Sequence, residues 1–307
     1  MIERPLDVLS KYEIRKTRKQ KDAFIAAVTD YTNRVGYTVR VEKGSLGARN
    51  VVIGDAEKAK YLVTAHYDTC AWMPVPNFIT PCNFPVYLLY QILLTAVIFC
   101  TAIGVGVGVG LLVGEPAVAA SVSFVLLYVI FALMMVGPAN RHTANDNTSG
   151  VVTVLEIMAS MPENLRDRVA FVLFDLEEVG LVGSSSYRAK HKKQTQSQII
   201  LNLDCVGDGD ELVLFPTGKL KKDAAAMAKL SKLCGRMGTK GLQLKKKGFA
   251  FYPSDQASFP FGVGFAAFHK AKVIGLWLGR IHTSRDTVLD MTNVNILRAA
   301  IISLIGN

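Results

Sequence analysis

Over most of its length this chain sets short apolar runs between polar segments, and about one third of the way along it changes to two long apolar blocks. Between residues 11 and 36, Phe24, Ile25, Val28, Tyr31 and Val35 recur at spacings of three and four among lysines and arginines, which predicts an amphipathic helix with a solvated basic face. Short strands are expected at Tyr37–Val41 and Asn50–Ile53, joined by a glycine-containing turn. Further runs of strand length are Tyr61 to Ala65 leading into His66-Tyr-Asp68, Arg168–Phe174, Ile199 to Leu203 ahead of Asp204, and Glu211–Phe215. Val273 to Gly279 is another apolar run, leading to His282. Helices are expected over Val151–Met158, capped near Thr148 or Ser149, over the Lys-rich Lys219–Arg236, and over residues 292–305. Lys245-Lys-Lys247 extends the basic character of the second of these as a hydrated face.

The two long blocks read differently. From Thr69 to Gly114 there is no Asp, Glu, Lys or Arg, and after Glu115 there is none until Arg141. Val86–Val113 and Ala117–Val136 each exceed the ~18 apolar residues at which a membrane-crossing helix becomes the default reading. Only Gly114-Glu-Pro116 separates them, so residues 84–136 read as a transmembrane hairpin in contact with the lipid bilayer. Two crossings return the chain to the side it left, which leaves His66 and Asp146 free to meet at one site. The connecting turn carries one Glu and no Lys or Arg while the body is basic, so the positive-inside tendency orients the body toward the cytoplasm. Gly104, Gly106, Gly108 and Gly110 alternate with valine; small residues four apart suit close helix packing, within the hairpin or between chains of a homo-oligomer. A nucleotide-binding reading of these glycines lacks the strand–turn–helix setting it requires.

Composition sharpens this picture. The chain has 307 residues, room for one large α/β domain or two small ones, and a formal charge of +10. A basic balance suits an anionic membrane surface or plain solubility; no nucleic-acid motif accompanies it, so nucleic acid is not an expected partner. The five cysteines are irregularly spaced with no Cys-x-x-Cys pair, which argues against a disulfide framework or a cysteine zinc site and fits a reducing compartment. Cys70 and Cys205 are expected as small buried hydrophobes. The first residues, Met1-Ile-Glu-Arg-Pro-Leu-Asp7, hold no apolar core of signal-peptide length.

The candidate chemistry lies where the apolar runs stop. Glu177 and Glu178 follow the Arg168–Phe174 run and precede Gly180 and Gly183, the position at which open α/β sheets place their chemistry. Adjacent side chains on a turning backbone point in different directions, so one Glu can bind a metal while the other faces a water on it. His66, Asp146, Asp204 and His282 add to Glu178 a mixed nitrogen and oxygen donor set suited to zinc.

In chain order, His66-Tyr-Asp68, Asn145-Asp-Asn-Thr-Ser-Gly150, Phe174-Asp-Leu-Glu-Glu-Val-Gly180, Leu203-Asp204 and Ile281-His-Thr-Ser-Arg-Asp286 resemble the motifs of the M28-type zinc aminopeptidase family. The resemblance implies a three-layer α/β/α fold with a central mixed sheet, built from residues 1–82 and 138–307, with residues 83–137 as the inserted hairpin. It implies two Zn2+ ions, or other divalent ions in their place. His66, Asp146 and Asp204 would hold one, and Asp146, Glu178 and His282 the other, with Asp146 bridging. Three carboxylates against two such ions leave one positive charge, which a bridging hydroxide neutralises. Glu177 is then the general base, and Asp68 takes the remaining N–H of the His66 ring. Phe251-Tyr-Pro-Ser-Asp-Gln-Ala-Ser-Phe259 resembles the loop on the family's substrate side, so Tyr252, Ser254 and Asp255 are expected at the substrate, Tyr252 as an oxyanion donor. Gln256 stands where family members often carry His. The activity implied is removal of N-terminal residues from peptides by a membrane-anchored enzyme. The alternatives are a di-zinc carboxypeptidase or dipeptidase holding a carboxylate through Arg280 or Arg285, and a catalytically silent membrane adaptor on the same fold.

Overall fold

The protein is described by a computed structural model covering residues 1–246, 248 and 250–307. Helices α1 (Asp7–Lys11) and α2 (Arg18–Arg34) lead into strands β1 (Val39–Lys43), β2 (Arg49–Ile53) and β3 (Tyr61–His66). Two long helices, α3 (Phe84–Val113) and α4 (Pro116–Val136), stand between β3 and α5 (Gly150–Ala159). Next come β4 (Val169–Phe174), α6 (Val182–Lys190), β5 (Ile199–Leu203) and β6 (Glu211–Pro216). The chain ends with α7 (Gly218–Lys222), α8 (Ala224–Lys232), β7 (Gly235–Met237), β8 (Lys240–Leu244), β9 (Gly262–Ala271), β10 (Gly275–Trp277) and α9 (Met291–Gly306).

The strands form one mixed sheet in the order β1-β2-β4-β3-β5-β9-β6-β8-β7, with β10 paired to β9. Its centre is parallel: β3 runs with β4 and β5, and β5 with β9. Central strands are buried on both faces and so read as continuous apolar runs. In β4, Val169, Phe171 and Leu173 pack with Phe24 and Val28 of α2, Val154 of α5 and Leu297 of α9. The alternate residues Ala170, Val172 and Phe174 pack on the opposite face with Tyr187 of α6 and Phe259. Period-two alternation thus divides one strand between two helical layers, giving the expected three-layer α/β/α arrangement.

Several elements differ from the sequence expectation for local reasons. The amphipathic helix begins at Arg18, because Thr17 and Gln20 form a reciprocal capping box that stops it extending back to residue 11. The Lys-rich helix is two helices, broken at Asp223, which leaves helical geometry and caps Ala226 N–H instead. Residues Gly235–Met237 then turn into a strand. Of the basic run that follows, Lys245 and Lys246 continue from β8 and Lys247 lies outside the described residues. Strand β9 was not expected at all. Its glycines and alanines have low strand propensity, yet a Cβ at Gly264 would come within 2.7 Å of the Gln256 side chain packed over it.

The hairpin leaves and returns through one doorway. Ala71 bridges Ala139, Trp72 N–H donates to the Pro138 carbonyl and Asn140 N–H to that of Cys70. Both helices are long and apolar enough to cross a membrane, and few of their residues are buried. Their contact with each other selects between the glycines. A Cβ at Gly106 would lie 2.0 Å from Ser123 Oγ and one at Gly110 2.6 Å from Ala119 Cβ, whereas Gly104 and Gly108 have nothing within 4 Å. Gly106 and Gly110 therefore belong to the hairpin's own seam, and the other pair faces outward. Gly106→Leu should lower the midpoint of denaturation in detergent by an amount equivalent to about 1–3 kcal/mol, as expected of overpacking. Gly104→Leu should leave it unchanged; equal effects would contradict this seam.

Candidate metal centre

The ends of the three parallel central strands converge at one edge of the sheet, and each delivers polar groups there. His66 is the last residue of β3, Glu177 and Glu178 lie in the turn after β4, and Asp204 follows β5. Asp146 comes from the segment before α5 and His282 from the loop after β10. The Asp146–Asn147 peptide bond is cis.

Asp146 divides its two oxygens between two sets of partners. Oδ1 lies 3.3 Å from His66 Nε2, which is itself 3.6 Å from Asp204 Oδ1. Oδ2 lies 3.2 Å from His282 Nε2, which is 3.4 Å from Glu178 Oε2. The five side chains are thus brought together as two triads sharing Asp146. Asp204 Oδ1 and Glu178 Oε1 are buried with no hydrogen-bond partner, which is unfavourable unless a cation or water completes them. The donor set, two imidazoles and three carboxylates with lone pairs turned inward, fits divalent metal of the zinc type. Glu177 lines the same pocket and, with His66 and Asp204, offers ligand atoms within 4.8 Å of one another.

Electrostatics give the same picture. Burial raises the Glu177 carboxyl well above its ordinary value; His66 opposes this, while Glu178 and Asp204 add to it. Burial and the nearby Asp146 do the same to Glu178. Burial would also raise Asp146, but His282 and His66 on its two oxygens hold it below the usual carboxylate range. Burial works against a charged His66, yet Glu177 and the surrounding aspartates push its pKa up. Too many carboxylates share too little water here, and added positive charge is what would relieve them.

Asp68 has a different partner from the one expected. His66 Nδ1 faces the Asp68 main-chain carbonyl at 3.1 Å, with the carboxylate farther off at 3.6 Å. The carboxylate instead accepts the backbone N–H groups of Glu177 at 3.0 Å and Glu178 at 3.3 Å. Asp68 is therefore a positioning residue for the glutamate turn. Tyr252 lines the pocket and donates its hydroxyl to the Asp204 carbonyl at 3.1 Å. Ser254 and Asp255 are fully buried behind the pocket wall; they do not line it. Asn202 Nδ2 donates to Ser254 Oγ and to Gln256 Oε1, so this loop braces β5. Burial pushes Asp255 up to about 7, against the pull of His66. Cys70 and Cys205 are buried beside the carboxylates, and burial pushes both thiols up.

Two supporting residues were given no role by the sequence, although Asp286 closes the motif that begins at Ile281. Asp286 accepts the backbone N–H groups of Asn145 at 2.7 Å and Asp146 at 3.1 Å, fixing Asp146 from behind. Its only signal was an acidic residue four positions after His282. Arg15 is wholly buried and donates to the Tyr67 carbonyl and, at 3.1 Å, to Thr148 Oγ1, tying the β3 exit to the Asp146 segment. Nothing local distinguished it from the other basic residues near it.

With this geometry in view, the family is clear: residues 128–304, more than half of the chain, match the model of peptidase family M28, and the chain belongs to that family of zinc-dependent metallopeptidases. It is 39% identical over 69 residues to aminopeptidase YwaD of Bacillus subtilis (strain 168), a match spanning 21% of this chain and 15% of that protein. Its fold is similar to a glutaminyl cyclase of Porphyromonas gingivalis, with a TM-score of 0.61, 15% identity, and coverage of 98% of this chain and 96% of that one. It is also similar to a Zn-dependent exopeptidase of Parabacteroides distasonis, with a TM-score of 0.58, 13% identity, and coverage of 99% and 97%.

Asp68→Asn keeps the shape but cannot accept both turn N–H groups. Zinc affinity, measured by chelator competition, should fall about 10–100-fold, as for other groups that orient ligands. An unchanged affinity would leave Asp68 without this role.

Proposed function

We propose that the protein is a membrane-anchored two-zinc aminopeptidase. One observation carries the two-ion count: the separate engagement of the two Asp146 oxygens by His66 and His282, each beside its own carboxylate. In this reading residues 1–82 and 138–307 are the catalytic domain and residues 83–137 the anchoring hairpin. His66, Asp146 and Asp204 hold one ion; Asp146, Glu178 and His282 hold the other. When bound, such ions lower the pKa of a water molecule and polarise a peptide carbonyl.

The chain's own residues do the rest. Glu177, which lines the pocket within reach of His66 and Asp204, takes the proton of the attacking water and delivers it to the leaving amine. Asp68 holds Glu177 and Glu178 at their stations through the backbone. Ile79, Tyr252 and Ile281 narrow a pocket of about 220 Å³, below the ~300–1,000 Å³ of sites that enclose larger ligands. A space of that size suits one terminal residue and not a chain running through.

The choice of chain end follows from charge. Asp146, Glu177, Glu178 and Asp204 line the pocket, and neither Lys nor Arg lines it among the described residues. Arg280, considered as a carboxylate holder, lies 3.4 Å from Asp208 Oδ2 instead. A free carboxylate would find no Lys or Arg in this lining to hold it, whereas a free α-amine needs none. The cytoplasmic placement of the catalytic domain rests on the lysine and arginine content of the body against the single Glu115 of the far turn.

Full-chain protein in detergent with zinc should release the first residue from an unblocked peptide and ignore the same peptide acetylated at its N-terminus. Glu177→Gln should lower kcat by roughly 10²–10⁴-fold, the contribution of a general base, while retaining its zinc. Cleavage of the blocked peptide, or cyclisation of an N-terminal glutamine without release of an amino acid, would overturn the aminopeptidase reading. Full activity of the variant would remove Glu177 from the chemistry. The chain should also stay in the membrane pellet after alkaline carbonate extraction; its release would contradict the hairpin anchor.

A further inference from the structure

Outside the metal centre, basic side chains concentrate in a depression of about 470 Å³ lined by Lys16, Arg18, Lys21, Lys43 and Arg49. Lys21 is buried and paired with Asp175, and Arg49 is paired with Asp22. Lys16, Arg18 and Lys43 have no carboxylate partner among the described residues. The N-terminal end of α2 opens beside them with no acidic residue in its first turn, so its backbone adds to the positive field. Burial lowers the pKa of Lys16, which means its charge is short of solvation. An anion seated here would meet three cations that make no ion pair, beside one carboxylate, Asp175, already paired with Lys21.

Two further features indicate where that anion comes from. Lys16 Nζ donates to the Met135 carbonyl at 3.0 Å, within the last turn of α4, so the depression adjoins the foot of the hairpin. Leu46, on its rim, is held at a positive φ and is 84% exposed. An apolar side chain beside these three cations, next to a bilayer-crossing helix end, matches the border between acyl chains and headgroups. The floor is also the wall of the catalytic turn, since Asp175 and Leu176 immediately precede Glu177.

We propose that this depression binds a phosphate group, supplied in the membrane by the headgroup of an anionic lipid in the leaflet that the hairpin enters. The lipid source rests on the hairpin anchor described above, whereas the affinity for phosphate does not. Such a contact would set how the catalytic domain sits on the membrane surface.

The test uses full-chain protein in a neutral detergent, titrated with dihexanoyl phosphatidic acid, dihexanoyl phosphatidylcholine or inorganic phosphate, with binding read by calorimetry. Phosphatidic acid should bind tightest. The Arg18→Glu, Lys43→Glu double variant should lose that binding by at least about ten-fold, because basic groups near a lipid surface act additively. The milder Arg18→Gln, Lys43→Gln variant should lose less, and Lys219→Glu, on exposed α7, nothing. Equal binding of the two lipids, or no loss in either double variant, would overturn the site. Inorganic phosphate binding as tightly as phosphatidic acid would overturn the lipid source and leave a free-phosphate site. Failure of the hairpin anchor would show separately, as carbonate release of the unmutated chain.

Discussion

One constraint organises the molecule: a group of carboxylates crowds together at the end of the parallel centre of the mixed sheet with too little positive charge of its own. Asp146, Glu177, Glu178 and Asp204 share that space with two imidazoles, and burial raises both glutamates. A buried carboxylate without a partner is costly, so the surrounding fold has to hold these groups in place against their mutual repulsion. Asp286 and Asp68 do this through backbone N–H groups, the first behind Asp146 and the second behind Glu177 and Glu178. Arg15 fastens the exit of β3 to the Asp146 segment. These bonds run between segments distant in sequence, and divalent cations are the natural complement to what they hold apart.

The insertion of a long hairpin between two members of this group is compatible with that constraint because its feet are joined. The Ala71–Ala139 bridge and the flanking backbone bonds close the doorway, so the hairpin can extend without moving His66 relative to Asp146. The same strap touches the site, since Met73 N–H donates to the His282 carbonyl at 2.8 Å and Asn77 and Ile79 line the pocket. The segment that leads to the hairpin is thus also a wall of the cleft.

What the sequence made legible follows from where the physics is local. His66, the Glu177–Glu178 pair and Asp204 could be found because each stands at the end of a strand apolar on both faces, and the hairpin because charge vanishes over its whole length. Strand β9 could not: Gly262 and Gly264 weaken any strand signal, and what justifies them is Gln256 arriving from another loop. The break at Asp223 turned on one side chain choosing to cap a helix. Asp68 was expected to take the His66 ring N–H, but its carboxylate serves the turn after β4, a partner visible only once β3 and β4 are paired. The division of the four alternating glycines into an inner and an outer pair likewise depends on how α4 lies against α3.

The central claim is that Asp146 stands between two cations. Crystals of the zinc-loaded protein, with anomalous data collected at the zinc edge, address it most directly. The account predicts two peaks about 3.5–4 Å apart, the separation usual for paired catalytic metals, one against each Asp146 oxygen. A single peak, or a pair of which neither touches Asp146, would contradict it.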